Sequence, residues 1–162
     1  MARTLRFPLS GGWKDKRRLA LDTYEELKLE NQLCFPLYAC SKEIIRRYTP
    51  YLEELDLTYT QYLVMLVLWE RKQVNVTELG KCLFLDSGTL TPVLKKLEGK
   101  SFLSRERSRE DERTLVVTLS ALGEALKEKA KAVPGKVGKC VRLEPEEAKL
   151  LYGLLYKILN QV

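Results

Sequence analysis

Between Leu27 and Leu55 the apolar residues Leu29, Leu33, Leu37, Ile44, Tyr48 and Leu52 recur mostly four positions apart, the spacing of one helix face. Pro36 falls inside that stripe. Either the helix begins near it, with Pro36 in the first turn, or the helix bends there. Thr49-Pro50 marks a second bend or the start of the last turns. A second helix is predicted over about Thr60–Arg71, capped by Thr58 or Thr60. Its stretch YLVMLVLWE is apolar nearly all round and should be deeply buried. After a short connection at Lys72-Gln73, Val76, Leu79 and Leu83 share one face of a short helix. Phe84-Leu85-Asp86 is the turn, and Asp86 or Ser87 caps a third helix with the core stripe Leu90, Leu94 and Leu97. Gly99 stands where that helix should stop.

Alternation then replaces helical spacing. Residues 102–107 (FLSRER) and 114–119 (TLVVTL) read as two strands joined by the charged tip SREDER at 108–113. Ser120 caps a further helix, with Leu122, Ala125, Leu126 and Ala130 on its apolar face, and Pro134-Gly135 interrupts it. A last helix is predicted from about Glu144 to Leu159, with Pro145 in its first turn and Leu150, Leu151, Leu154, Leu155 and Ile158 apolar. That stripe is wider than one small lobe can cover, so it predicts an interface. The expected fold is mainly α with a small β-hairpin wing, a winged helix-turn-helix. Residues 1–25 form a flexible basic tail and 26–58 an N-terminal helix. The helix-turn-helix lobe with its wing covers 59–122, and C-terminal helices over 123–162 are expected to join the N-terminal helix in making a dimer.

Composition narrows the chemistry. The 162 residues are 45% apolar, enough for a packed core. Lys and Arg exceed Asp and Glu by 28 to 22, a net charge of +6 that suits a phosphate backbone or an anionic surface. No apolar run approaches a membrane span, and the first 25 residues lack the apolar core of a secretion signal. The four cysteines, Cys34, Cys40, Cys82 and Cys140, show no CxxC spacing, and the chain has no histidine. Zinc-finger chemistry and histidine-dependent triads are therefore excluded. A reduced, cytoplasmic protein that needs no cofactor is expected.

A recognition helix must bury one stripe while leaving short polar side chains near its N-terminus for base edges. Leu90, Leu94 and Leu97 supply the stripe, and Ser87, Thr89 and Thr91 lie off it. Pro92 offers an apolar contact to a thymine methyl. A proline is costly in a helix interior, and local rules are most often broken at functional sites. Lys95 and Lys96 are placed for phosphates. Arg107, Arg109 and Arg113 at the wing suit an adjacent minor groove or its phosphates. The bland alternatives are a merely solvated hairpin tip and a winged helix that binds protein.

The stretches LDSGTLTPVLKKLE (85–98) and RSREDERTLVVTLSALG (107–123) resemble the MarR family of bacterial repressors, whose wing carries a D-x-R element matched here by Asp111 and Arg113. In that family the two pair to shape the wing, and the arginine reaches the minor groove. LENQLCFPLYACSKEIIRRY (29–48) and LTYTQYLVMLVLWE (57–70) are similar to its organic-hydroperoxide-sensing branch, the OhrR type. Together these stretches cover most of residues 29–135.

Read from the residues alone, Cys34 is a lone thiol beside an apolar stripe, a setting in which most cysteines are inert. Tyr38, Tyr48 and Tyr59 could bring hydrogen bonds and an apolar pocket to a reactive sulfur, although tyrosines at helix packing points are ordinarily core. The resemblance implies more. The cysteine matching Cys34 is the peroxide-reactive thiol of that branch, tyrosines matching Tyr48 and Tyr59 hydrogen-bond to it, and Tyr38 matches a tyrosine near the pocket. Pro36 departs from the pattern, where an ordinary helix-former is expected. Cys140 lies roughly where one subgroup carries a resolving cysteine, in the C-terminal part of the partner subunit. Cys40 and Cys82 are read as structural.

The implied protein is a homodimeric repressor that binds a double-stranded DNA operator and no membrane. It is not an enzyme, and an organic hydroperoxide is the effector that releases it by oxidising Cys34. The alternatives are a MarR-type repressor released by a small aromatic ligand, a thiol peroxidase, and a winged-helix protein-interaction module. The missing histidine and the absence of a thioredoxin-like βαβ pattern argue against the peroxidase.

Overall fold

A computed structural model of the chain describes residues 24–108 and 113–161. The expected basic tail, apart from its last two residues, lies outside them, as do Arg109 and Asp111. The chain divides after Ile44 into two units.

In the first unit, Glu25–Leu27 and Leu29–Asn31 are single 3₁₀ turns, and the helix α1 (Cys34–Glu53) begins at Cys34. The helical stripe expected from Leu27 therefore starts later. Lys28 and Gln32 are extended, which breaks the helix on either side of the second turn. Pro36 lies in the first turn of α1, where its missing N–H would have had no helical partner. Leu29 and Leu33, assigned to the apolar stripe, are 57% and 71% exposed.

The second unit holds the rest of α1, which continues through Pro50 to the buried Leu52. Asp56 then turns the chain in the left-handed conformation, with φ 53°. Thr58 caps α2 (Tyr59–Arg71) through a reciprocal box: Gln61 donates its backbone N–H to the Thr58 hydroxyl, and Thr58 donates its own to the Gln61 side chain. Gln61 can thus lie buried at no polar cost. The apolar α2 is buried as its pattern predicts, except that Leu66 is exposed.

The link after α2 is a strand rather than a plain connection: β1 (Gln73–Asn75) pairs antiparallel with β3 (Leu115–Leu119), Val74 facing Val117. Asn75 caps α3 (Val76–Leu83), and Asp86 caps α4 (Ser87–Gly99). β2 (Leu103–Arg107) pairs with the other edge of β3, giving a three-stranded antiparallel sheet in the order β1-β3-β2. α4 does run to Gly99, but the left-handed residue that turns the chain is Ser101, with φ 59°.

Ser120 caps α5 (Ala121–Ala130) as expected, yet the buried edge of that helix differs from the expected one. Gly123 and Ala130 are buried and Leu126 is partly buried, whereas Leu122 and Ala125 face solvent. The cause is a close approach. A Cβ on Gly123 would come within 2.1 Å of the Phe102 carbonyl oxygen, so the helix packs by its glycine edge. The chain leaves α5 at Lys131-Ala132, ahead of Pro134, which instead occupies the first turn of α6 (Val133–Gly138). α7 (Pro145–Leu159) follows.

One core joins the end of α1 to α2, α3, α4 and the sheet, and Ala130, Val133 and Val137 extend it. Its fully buried members include Leu68, Leu79, Leu90, Leu94, Leu97 and Val117. None of the α7 residues is buried: Leu150, Leu151, Leu154, Leu155 and Ile158 are all exposed.

Candidate functional site

The core side of α4 is fixed by Leu90, Leu94 and Leu97, each at most 1% exposed. That anchoring leaves Ser87, Thr89, Thr91, Pro92, Lys95 and Lys96 all facing solvent. The helix start is tightly organised. Thr89 donates both its backbone N–H (2.8 Å) and its hydroxyl (3.0 Å) to the Asp86 carboxylate. Those hydrogen bonds hold the Asp86 carboxyl below the ordinary range. Thr91 donates its hydroxyl to the Ser87 carbonyl at 2.7 Å. Both threonine hydroxyls thus commit their protons within the helix start and keep oxygen lone pairs as acceptors. Pro92 lies inside the helix and withdraws one backbone donor.

The wing is tied to this helix by a pair that sequence reasoning missed. Arg105 on β2 donates its backbone N–H to one Glu98 carboxylate oxygen at 3.1 Å, and its guanidinium to the other at 3.0 and 2.5 Å. The Arg105 side chain is 17% exposed and that of Glu98 37%, so the fork is only partly open to water. The contact lowers the Glu98 carboxyl from its ordinary value. The signal was available in principle: Arg105 alternates in phase with the buried Leu103. Arg107 ends β2, Arg113 leads back toward β3, and both are exposed. Beyond the wing, Lys100 hydrogen-bonds the Asp56 carbonyl and meets its carboxylate at 2.9 Å.

Of the tyrosines assigned to sensing, Tyr48 and Tyr59 are brought together, edge to face with ring centroids 5.0 Å apart. Tyr62, which the sequence reading passed over, extends the group at 5.9 Å from Tyr48 and 6.1 Å from Trp69. The spacing Tyr59, Tyr62 and Trp69 on one helix face could have revealed it. Burial, and then the neighbouring phenols, raise Tyr59 and Tyr62 above the ordinary tyrosine range. Both therefore remain hydroxyl donors at any physiological pH. Tyr38, in the first unit, is 63% exposed, with the Lys42 ammonium 5.9 Å from its ring centroid.

Cys34 is the first residue of α1 and is exposed. Cys140 is exposed just after α6, its sulfur 3.9 Å from the Lys136 carbonyl oxygen. Cys40 and Cys82 are exposed as well, which removes the structural role read for them, since neither packs in the core.

The family model described as transcriptional regulator SarA/Rot matches residues 46–131. The organic hydroperoxide resistance transcriptional regulator of Bacillus subtilis (strain 168) is 46% identical over 137 residues, covering 85% of this chain and 93% of that protein. Among solved structures, overoxidized AbfR bound to DNA is similar, with a TM-score of 0.69 and 37% identity over 85% of this chain and 96% of that one. A cysteine-to-serine variant of MarR from E. coli complexed with operator DNA has a TM-score of 0.73 at 27% identity, covering 78% and 93%.

Proposed function

The chain belongs to the SarA/Rot-type transcriptional regulators of the MarR family, and from that premise we propose a homodimeric repressor that leaves its DNA operator when an organic hydroperoxide oxidises Cys34. The observation that carries the DNA half is the anchored α4, which turns a buried leucine stripe inward and Ser87, Thr89, Thr91 and Lys95 outward. In this reading the α4 N-terminus enters the major groove, Lys95 and Lys96 meet phosphates, and the wing arginines lie along the adjacent minor groove. Glu98 and Arg105 set the angle between the two. The relatives solved on DNA support the DNA-binding reading.

The switch rests on an accessible thiol. The Cys34 thiolate attacks the peroxide, forming an S–O bond as the O–O bond breaks. The alcohol leaves and a sulfenic acid remains. Condensation with the Cys140 thiol of the partner subunit then forms a disulfide and releases water. Tyr38 lies one helical turn from Cys34, whereas Tyr48 stands fourteen residues away on the same helix. Tyr48, and with it Tyr59 whose ring it meets, are accordingly assigned to the thiol of the partner chain. A dimer joined through α1 and α7 meets that requirement and covers the apolar face of α7. Residues 26–58 and 123–162 are the dimerising parts and 59–122 the reading lobe.

A concavity of about 470 Å³, lined by Tyr62, Leu66, Trp69, Lys127 and Lys131, favours a second reading, in which a small aromatic acid releases the DNA. A gel shift on the duplex upstream of the protein's own gene separates the two. The first reading expects cumene hydroperoxide to dissolve the complex and dithiothreitol to restore it. Release by salicylate with no response to peroxide would favour the second.

A further inference from the structure

Phe84, between α3 and α4, breaks two local rules at once. Its backbone is left-handed, φ 53° and ψ 42°, a conformation that glycine or asparagine normally supplies after a helix. The turn itself is needed. Phe84 donates its N–H to the Gly80 and Lys81 carbonyls, and a Cβ on Gly80 would meet the Leu85 carbonyl oxygen at 2.7 Å, so the two helices close tightly. Nothing in that geometry calls for an aromatic ring. The ring is 68% exposed, while Leu83 and Leu85 on either side pack against the core.

The ring instead walls a groove of about 680 Å³ between α3 and the start of α4, alongside Thr77, Lys81 and Ser87. Its acidic side chain, Asp86, is already engaged in capping Thr89. In helix-turn-helix complexes the first helix crosses the sugar–phosphate backbone while the second enters the major groove. The groove mixes what such a strand requires: a cation and hydroxyls for phosphate oxygens, and an apolar face for a sugar. We infer that Phe84 is a positioning residue of the DNA grip, its ring packed on a deoxyribose of the strand that crosses α3. This rests on the DNA-binding reading above and adds to it a contact that carries no sequence information.

Phe84→Asn and Phe84→Gly relieve the backbone while deleting the ring, and Phe84→Tyr keeps the ring. Affinity is measured by fluorescence anisotropy on the duplex upstream of the gene and on an unrelated duplex, at several salt concentrations. Thr91→Ala and a thermal melt are run alongside. Asn and Gly should leave the melting temperature unchanged or higher, yet weaken binding to both duplexes by about tenfold. Plots of log K against log salt should stay parallel to the parent, because an apolar contact releases no counterion. Tyr should bind like the parent. Affinity within twofold of the parent, loss on one duplex alone, a changed salt slope, or a lowered melting temperature would each overturn the inference. If Thr91→Ala weakens specific binding while the Phe84 variants do not, this inference fails and the DNA-binding reading stands. A parent protein that binds neither duplex overturns both.

Discussion

Tyr48 and Tyr59 meet edge to face, and burial raises the Tyr59 phenol above its ordinary value, which keeps its hydroxyl a donor for a sulfur brought to it. In the proposed switch they assist the reaction and do not perform it. Tyr48→Phe and Tyr59→Phe should therefore slow peroxide-induced release by about tenfold each without preventing it, read as stopped-flow loss of anisotropy on labelled DNA. Release at the parent rate in both would remove the phenols from the mechanism. These tyrosines were legible in the sequence only through resemblance, because a tyrosine at a packing point looks like core. Tyr62 was missed for the same reason, hidden inside a run that is apolar nearly all round. The recognition-helix residues were legible from physics, since a strict leucine stripe dictates which side chains must face outward. Glu98 and Arg105 were not: a charged pair seven residues apart in sequence reads as surface until the turn at Ser101 folds one over the other.

That pair makes a prediction at the level of elements, since it joins α4 to β2. The Glu98 carboxyl lies below its ordinary value because the Arg105 guanidinium hydrogen-bonds its charged form. Its stabilising effect is thus complete above the ordinary carboxylate pKa and is lost as pH falls through the lowered one. Glu98→Gln should shift the urea midpoint down at pH 7, and the gap to the parent should close below about pH 4. A gap unchanged across that range would show that the charge on Glu98 contributes nothing. Glycine contacts give a paired test. Gly123→Ala forces a Cβ against the Phe102 carbonyl and should cost about 3 kcal/mol, whereas Gly99→Ala meets nothing within 4 Å and should stabilise by about 0.5 kcal/mol. Equal urea midpoints would contradict the close packing of α5 on the β2 approach. The helices and the two wing strands were readable from periodicity, capping residues and β-branched runs. β1 was not, because three residues with one apolar member carry no period; the pairing with β3 makes them a strand. The buried edge of α5 was misread because Gly123 has no side chain to enter an apolar pattern, although its lack of one is what allows the approach.

For the whole molecule, the proposed switch needs a second copy of the chain, which would also cover the exposed apolar face of α7. If Cys140 resolves the sulfenic acid across that dimer, peroxide-treated protein should run as a linked dimer on a non-reducing gel. Cys140→Ser should run as a monomer, and its Cys34 should form a mixed disulfide with added thiol. A linked dimer that persists in Cys140→Ser would assign the second sulfur to another exposed cysteine: Cys40, Cys82 or the Cys34 of a second copy. The sequence alone pointed to an interface at α7 but gave no measure of how fully the chain leaves that helix uncovered. The claim on which the account turns is that one sulfur controls the grip on DNA. The direct measurement is DNA affinity of Cys34→Ser before and after addition of an organic hydroperoxide. Serine is nearly isosteric but far less nucleophilic toward peroxide, so packing is kept while the chemistry is removed. The predicted result is parent-like binding that peroxide no longer releases; release of Cys34→Ser at the parent's peroxide dose would contradict it.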